Sequence, residues 1–118
     1  ANYNTLDGTG VRDYIHISDL ASGHVAAIEK LFGKPEVSIY NLGTGHGYSV
    51  FEMLGTFEKI SGREITYKIE MARKGDIAEL YACCNKISEE LGWSAKLGLE
   101  DICESAWKWH KNYINSNE

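Results

Sequence analysis

Two short polar segments carry the side chains that are best suited to chemistry in this sequence. The first is Arg12-Asp13-Tyr14, which leads into a predicted strand, and the second is Arg73-Lys74-Gly75-Asp76, which follows another. Ligand crevices in α/β folds lie at strand ends. A guanidinium can hold a diphosphate through two hydrogen bonds, and a nearby carboxylate can accept from ribose hydroxyls. The residue types therefore fit a nucleotide-like anion, although an arginine in a loop is more commonly a solvated charge or half of a surface ion pair.

A glycine-rich loop, Gly43-Thr44-Gly45-His46-Gly47, lies between a predicted strand and a predicted helix. That arrangement can present helix N-terminal amides to a phosphate. The dinucleotide fingerprint needs a glycine at its sixth position, where this sequence has Tyr48 or Val50, depending on the starting glycine. A Lys-Ser/Thr ending of the Walker type is missing as well. We therefore interpret the loop as a tight strand-to-helix turn.

Hydrophobic periodicity and capping signals predict an α/β domain with mixed short strands and about four helices. Ser49 and Glu52 form a capping box for one helix, which ends at Gly62. Asn85 is expected to cap another, which ends at Gly92. A third helix is expected to begin at Ser18 or Asp19 and to be ended by Gly33 and Pro35, and a fourth is expected over residues 99–113. Strands are expected at residues 14–17, 37–42, 65–71 and 79–83.

Composition limits the classes of partner and of site. The 118 residues carry a net charge of −5, with 12 Lys+Arg against 17 Asp+Glu, and this acidic balance argues against nucleic acid or an anionic membrane as a partner. No stretch approaches the roughly 18 apolar residues of a membrane span. The three cysteines are expected to be reduced thiols of a cytoplasmic protein, and the four histidines lack the spacing of a metal site.

Several segments of the sequence resemble the UDP-glucose (UDP-galactose) 4-epimerases of the extended short-chain dehydrogenase/reductase class. The most diagnostic is Gly8-Thr9-Gly10-Val11-Arg12-Asp13-Tyr14-Ile15-His16. The others follow in the order of the family and cover nearly the whole chain, at residues 19–25, 40–50, 73–76 and 90–93. The resemblance implies that the chain is the C-terminal, UDP-sugar-binding portion of such an enzyme, over residues 1–118. It also implies that the strand at 37–42 pairs into a nucleotide-binding sheet that the chain does not contain.

The resemblance also assigns roles to individual residues. Arg12 and Arg73 would bind the diphosphate of UDP, Asp76 would bind the uridine ribose, and Tyr14 would form part of the pocket wall. Leu80 lies at the position that resembles the size gate of the family for the C2 substituent of the hexose. Leucine there is intermediate in size, which leads to the hypothesis that the parent enzyme accepts both plain and N-acetylated hexoses.

The catalytic apparatus of the family does not match any part of this sequence. Its GxxGxxG turn, its Tyr-x-x-x-Lys pair and its catalytic Ser or Thr belong to an N-terminal NAD domain, and no tyrosine here is followed by lysine four residues later. The resemblance therefore implies NAD in the full-length enzyme, which is expected to be a homodimer, but no NAD bound to this chain and no activity of the chain alone. Two alternatives stay open: another sugar-nucleotide epimerase or decarboxylase of the superfamily, or a free-standing, non-catalytic nucleotide-binding module.

Overall fold

The fold contains a small mixed sheet and four helices, as a computed structural model shows for residues 3–33 and 36–116. The elements described there, in chain order, are β1 (Val11–Arg12), α1 (Ile17–Gly33), β2 (Tyr48–Ser49), α2 (Val50–Ser61), β3 (Glu79–Leu80), α3 (Asn85–Leu91) and α4 (Leu99–Asn115). The predicted α/β class and the four helices agree with this architecture. Pro35, which was expected to end α1 together with Gly33, lies outside the described residues.

The sheet is small and has the order β2-β1-β3. β1 pairs antiparallel with β2, so that Arg12 lies opposite Tyr48, and parallel with β3, so that Arg12 lies opposite Leu80. The amides of Val11 and Asp13 donate to the carbonyls of Ala78 and Leu80, at 2.8 and 3.1 Å. The segment after Arg73 is thereby fixed alongside the segment that contains Arg12.

Three of the helix boundaries that rest on local signals, at Ser49, Gly62 and Gly92, agree with the structure. The Ser49 hydroxyl accepts from the Glu52 amide, and the Glu52 carboxylate accepts from the Ser49 amide, which completes the predicted capping box of α2. Gly62 and Gly92 end α2 and α3 with positive φ angles of 66° and 63°. The predicted Asn85 cap is wrong by one residue: Cys84 occupies the cap position and makes no side-chain cap bond.

Two strand predictions, at 14–17 and 65–71, are wrong, and a third is too long. The first strand lies at Val11–Arg12 rather than at 14–17, and α1 already begins at Ile17. Residues 65–71 form no strand, and the strand predicted at 79–83 is limited to Glu79–Leu80. Residues 37–42 pair with no described segment, and their expected partner is a sheet that the chain does not contain, so the strand at 37–42 stays a prediction. The reason for the error at 65–71 is physical: a strand needs a ladder of backbone partners, and no described segment provides one for these residues. The predicted half-buried alternation at 65–71 is mostly exposed.

The core lies where the helices meet, and its fully or nearly buried apolar side chains are Ile87, Trp93, Leu99 and Cys103. α2 packs on α4, with the Phe57 and Trp107 rings edge to face at 6.4 Å. α1 is joined to the chain around Trp93, whose indole N–H donates to Ser22 Oγ at 2.8 Å. The buried Asp19 carboxylate accepts from the amides of Lys96 and Leu97.

The apolar face of α1 is only partly covered by the described residues. Ile28 and Leu31, which periodicity places on the buried side, are 51 % and 48 % exposed. Among the described helices, none is long and apolar enough to cross a membrane.

Candidate functional site

Four of the five predicted site residues line one cleft of about 570 Å³. They are Arg12, Tyr14, Arg73 and Asp76, and the cleft runs between β1, the first turns of α2 and the segment 67–76. Leu80 is not among the residues that line it. The structure thus brings together residues that lie about 60 positions apart in sequence, as a ligand site requires.

Arg12 joins β1 to the chain that precedes β3. Its Nη1 donates to the Val11 and Ala78 carbonyls at 2.7 and 3.3 Å, and its Nη2 donates to the Ile77 carbonyl at 2.9 Å. A guanidinium has five N–H donors, so two remain without a partner among the described residues. Arg12 can therefore hold the 77–78 backbone and still offer two hydrogen bonds to an anion in the cleft.

Arg73 and Asp76 form the second charged part of the cleft. The Nε of Arg73 donates to Asp76 Oδ2 at 3.1 Å, whereas its two terminal nitrogens have no partner within the described chain. The Arg73 side chain is 86 % exposed and that of Asp76 24 %. Tyr3 donates its hydroxyl to the same Oδ2 at 2.8 Å. This bond, followed by the bond from Arg73, lowers the pKa of Asp76 below its usual value, so that the carboxylate is ionised and ready to accept.

Tyr14 and Leu80 contribute differently. Tyr14 is half-buried in the cleft wall, and this burial raises the pKa of its phenol, so the hydroxyl is protonated at neutral pH. Leu80 lies on β3, with its carbonyl bound by the Asp13 amide and its side chain 57 % exposed. Its backbone position is therefore fixed while its side chain is free of close packing.

Asp13 has a structural role beside the cleft that the sequence did not indicate. Its Oδ1 accepts from the amide and hydroxyl of Thr44, at 2.9 and 2.7 Å, and its Oδ2 accepts from the amides of Gly45 and Ala82, at 3.0 and 3.1 Å. Burial acts to raise the pKa of Asp13, but the hydrogen bonds from Thr44, Ala82 and Gly45 outweigh it, and the pKa lies below the usual value. A Cβ at Gly43 would collide with this carboxylate.

The glycine loop does not fit an NAD phosphate. The amides of Thr44 and Gly45 that could face a phosphate already donate to the Asp13 carboxylate, an anion that the chain supplies itself. The bulky residues at the sixth fingerprint position, Tyr48 and Val50, are in place at the start of α2. The interpretation of the loop as a structural turn accounts for these contacts, and we assign no cofactor contact to it.

Tyr3 was also missed by the sequence interpretation, although it lines the cleft and bonds to Asp76. The two residues are 73 positions apart, and a lone tyrosine in a polar segment gives no signal of such a contact. Among the described residues, no group of three or more His, Cys, Asp or Glu side chains is arranged to hold a metal ion.

Curated relatives resemble the chain over almost its whole length. The UDP-glucose 4-epimerase of Bacillus subtilis is 53 % identical over 114 residues, which are 97 % of this chain and 34 % of that protein. The human UDP-glucose 4-epimerase is 54 % identical over 110 residues, 93 % of this chain and 32 % of that protein. The chain thus spans about a third of the length of the curated relatives that it matches.

A solved structure matches equally well. The UDP-glucose 4-epimerase of Bifidobacterium longum, crystallised with NAD+ and UDP, superposes with a TM-score of 0.90 at 51 % identity, covering 97 % of this chain and 34 % of that one. The family model described as GDP-mannose 4,6 dehydratase matches residues 3–106. On this agreement of sequence and fold, the chain belongs to the NAD-dependent epimerase/dehydratase family of extended short-chain dehydrogenases/reductases.

Proposed function

We propose that this chain is the C-terminal, UDP-sugar-binding part of a UDP-glucose 4-epimerase, which interconverts UDP-glucose and UDP-galactose through an NAD-dependent 4-keto intermediate. The observation that carries the proposal is the cleft in which Arg12, Arg73 and Asp76 meet. Two guanidinium groups and an ionised carboxylate match, in kind and number, the diphosphate and the ribose of a nucleoside diphosphate sugar.

Each charged group has donors or acceptors left for the ligand. Arg12 keeps two N–H donors and Arg73 keeps both terminal nitrogens, so both can bind diphosphate oxygens. Asp76 Oδ1 has no partner among the described residues and can accept from ribose hydroxyls. Tyr14 contributes the wall beside them. Hydride transfer and proton transfer require groups that we assign to the remainder of the enzyme, so the isolated chain is expected to be inactive.

Arg73→Ala and Asp76→Ala, made in the complete enzyme, are expected to raise the KM for the UDP-sugar by about tenfold to a hundredfold each. Each removes charge-assisted hydrogen bonding to the ligand that is worth about 1.5–3 kcal/mol in total, and 1.4 kcal/mol corresponds to a factor of ten. The bound NAD content should not change. Steady-state kinetics and the absorbance of released nucleotide measure the two quantities.

The matched control is Arg63→Ala, because Arg63 is an exposed arginine that lies over the Trp107 ring rather than in the cleft. It should leave the KM within a factor of two. Loss of NAD from Arg73→Ala, or a KM equal to that of Arg63→Ala, would contradict the site assignment.

Leu80 provides a separate test of the sugar end of the site. We propose that Leu80 sets the space for the hexose C2 substituent, and Leu80→Tyr is expected to reduce turnover of UDP-N-acetylglucosamine by at least about tenfold relative to UDP-glucose, because the larger ring removes volume. Both rates are measured on the complete enzyme. The hypothesis fails if the parent enzyme turns over UDP-glucose but not the N-acetylated substrate, or if the variant turns over both substrates as the parent does.

The cleft residues concern the UDP end of the ligand, which other sugar-nucleotide epimerases and decarboxylases share. A UDP-glucuronate epimerase or decarboxylase is therefore the competing assignment. Chromatographic identification of the products that the complete enzyme forms from UDP-glucose and from UDP-glucuronate distinguishes the two.

A further inference from the structure

The Tyr3 hydroxyl makes a contact that the assigned binding roles do not use. It donates to Asp76 Oδ2 at 2.8 Å, and Arg73 Nε donates to the same oxygen at 3.1 Å. Both donors reach one oxygen of the carboxylate, while Oδ1 has no partner among the described residues. The carboxylate is therefore held on one side and open on the other.

Tyr3 is itself held in place by a turn. Its amide donates to the Gly8 carbonyl at 3.1 Å, and its carbonyl accepts from the Thr5 amide at 2.9 Å. The Thr5 hydroxyl donates to the Thr9 carbonyl, which ties this turn to the residues that lead into β1. The tyrosine thus approaches Asp76 from a fixed backbone and with a half-buried ring.

Arg73 alone is a weak anchor for Asp76. Its side chain is 86 % exposed, and exposed ion pairs contribute little because water competes and two flexible side chains must be ordered. Its guanidinium is also assigned to the diphosphate. A phenol donating from a half-buried, backbone-anchored residue is less exposed to competing water, and it is the largest influence on the ionisation of Asp76.

We propose that Tyr3 is a positioning residue for nucleotide recognition: it holds Asp76 by Oδ2 so that Oδ1 is presented to the ribose hydroxyls of the UDP moiety. The inference rests on the proposed function, because it assumes that Asp76 binds the ribose. It adds a residue that acts through Asp76 without touching the diphosphate. The expected effect is specific: loss of the Tyr3 hydroxyl should weaken the binding of the ribose hydroxyls and leave the other contacts of the ligand unchanged.

The test compares two ligands on the complete enzyme by calorimetry, UDP and 2′,3′-dideoxyuridine diphosphate, which lacks both ribose hydroxyls. The unsubstituted enzyme should bind UDP about tenfold more tightly than the analogue, and Asp76→Ala should abolish this preference. Tyr3→Phe should reduce the preference about fivefold while leaving the affinity for the analogue within a factor of two. In the double variant Tyr3→Phe/Asp76→Ala, the first substitution should have no further effect.

Tyr48→Phe is the matched control. Tyr48 lies on β2 outside the cleft, and its hydroxyl has no hydrogen bond among the described residues. It should retain the full preference for UDP, and thermal unfolding midpoints should show that both phenylalanine variants are folded.

A second readout is the pH at which the preference for UDP is lost. The groups that act on Asp76 are Tyr3, Arg73 and Arg12, and all three lower its pKa. Because that pKa is lowered, the preference should be present above it and lost as the pH falls through it. Tyr3→Phe removes the largest of these influences, so the loss should occur at higher pH. The ratio of the two affinities cancels the titration of the phosphates that both ligands share.

The outcomes separate the inference from the proposed function. Suppose that Asp76→Ala abolishes the preference for UDP, but Tyr3→Phe weakens the binding of both ligands equally or of neither ligand. The positioning role of Tyr3 is then overturned, and the ribose assignment of Asp76 stands. If the unsubstituted enzyme does not distinguish the two ligands, or Asp76→Ala leaves the preference intact, the ribose assignment fails and the inference fails with it.

Discussion

Arg12→Ala is expected to lower kcat/KM of the complete enzyme for its UDP-sugar by about a thousandfold, without loss of NAD. The residue has two tasks. Its two remaining N–H donors are assigned to the diphosphate, while the other three hold the carbonyls of Val11, Ile77 and Ala78. Losing two charge-assisted bonds and the support of the neighbouring Asp76 segment amounts to about 4 kcal/mol, which is roughly three factors of ten.

Arg12→Lys should recover little of this loss. An ammonium has three donors on one nitrogen and cannot span three carbonyls and a diphosphate in the way that a planar guanidinium does. The measurement is steady-state kinetics together with NAD content, with Arg63→Ala as the control. A lysine variant with near-normal kcat/KM would show that Arg12 supplies only charge, and a normal alanine variant would remove Arg12 from the site.

Asp13→Ala is expected to destabilise the complete enzyme by about 3–5 kcal/mol. The carboxylate accepts four hydrogen bonds from Thr44, Gly45 and Ala82, and its removal leaves partly buried backbone donors without acceptors. A lowered thermal unfolding midpoint measures the effect. Asp101→Ala is the matched control, because the Asp101 side chain accepts only from the Gly98 amide among the described residues, and its removal should cost about 1 kcal/mol.

The contribution of Asp13 has a defined pH dependence. Because its folded-state pKa lies below the unfolded value, its stabilisation is fully present above the ordinary carboxyl pKa and is lost as the pH falls through the lowered folded pKa. The difference in midpoint between the unsubstituted enzyme and Asp13→Ala should therefore shrink on acidification. A difference that is small at neutral pH, or that grows in acid, would contradict the role given to this carboxylate.

Local signals in the sequence predicted structure where the stabilising contacts are themselves local. The capping box of Ser49 and Glu52 closes within four residues, and the glycines at 62 and 92 end helices because their own φ angles are positive. The strand at 65–71 was wrong because alternation records which side chains are apolar but not whether a backbone partner exists. Val11–Arg12 was missed as a strand because its partners come from two distant segments, at Tyr48 and Leu80.

The candidate site shows the same difference between features that the sequence could predict and features that depend on contacts between distant residues. Arg12, Tyr14, Arg73 and Asp76 were expected from the family resemblance, and the structure places them in one cleft. The strand-end argument for the two arginines relied on strands at 14–17 and 65–71 that the structure does not contain. Tyr3 and the bonding of Asp13 could not be predicted, since both depend on contacts between residues 31 to 73 positions apart. A single sequence does not show which distant residues are in contact, and this information comes from the three-dimensional structure.

The backbone contacts at Leu80 have a consequence for substitutions at this position. Its carbonyl is bound by the Asp13 amide, and β1 pairs with β3 in register, so the main chain at this position is held independently of the side chain it carries. Leu80 is largely exposed, so its side chain is not closely packed against its neighbours. Replacements of different volume can therefore be accepted here without moving Arg12 or the segment that carries Asp76. On the role proposed for Leu80, a single substitution here would change which sugar is accepted and leave the proposed nucleotide contacts of Arg12 and Asp76 in place.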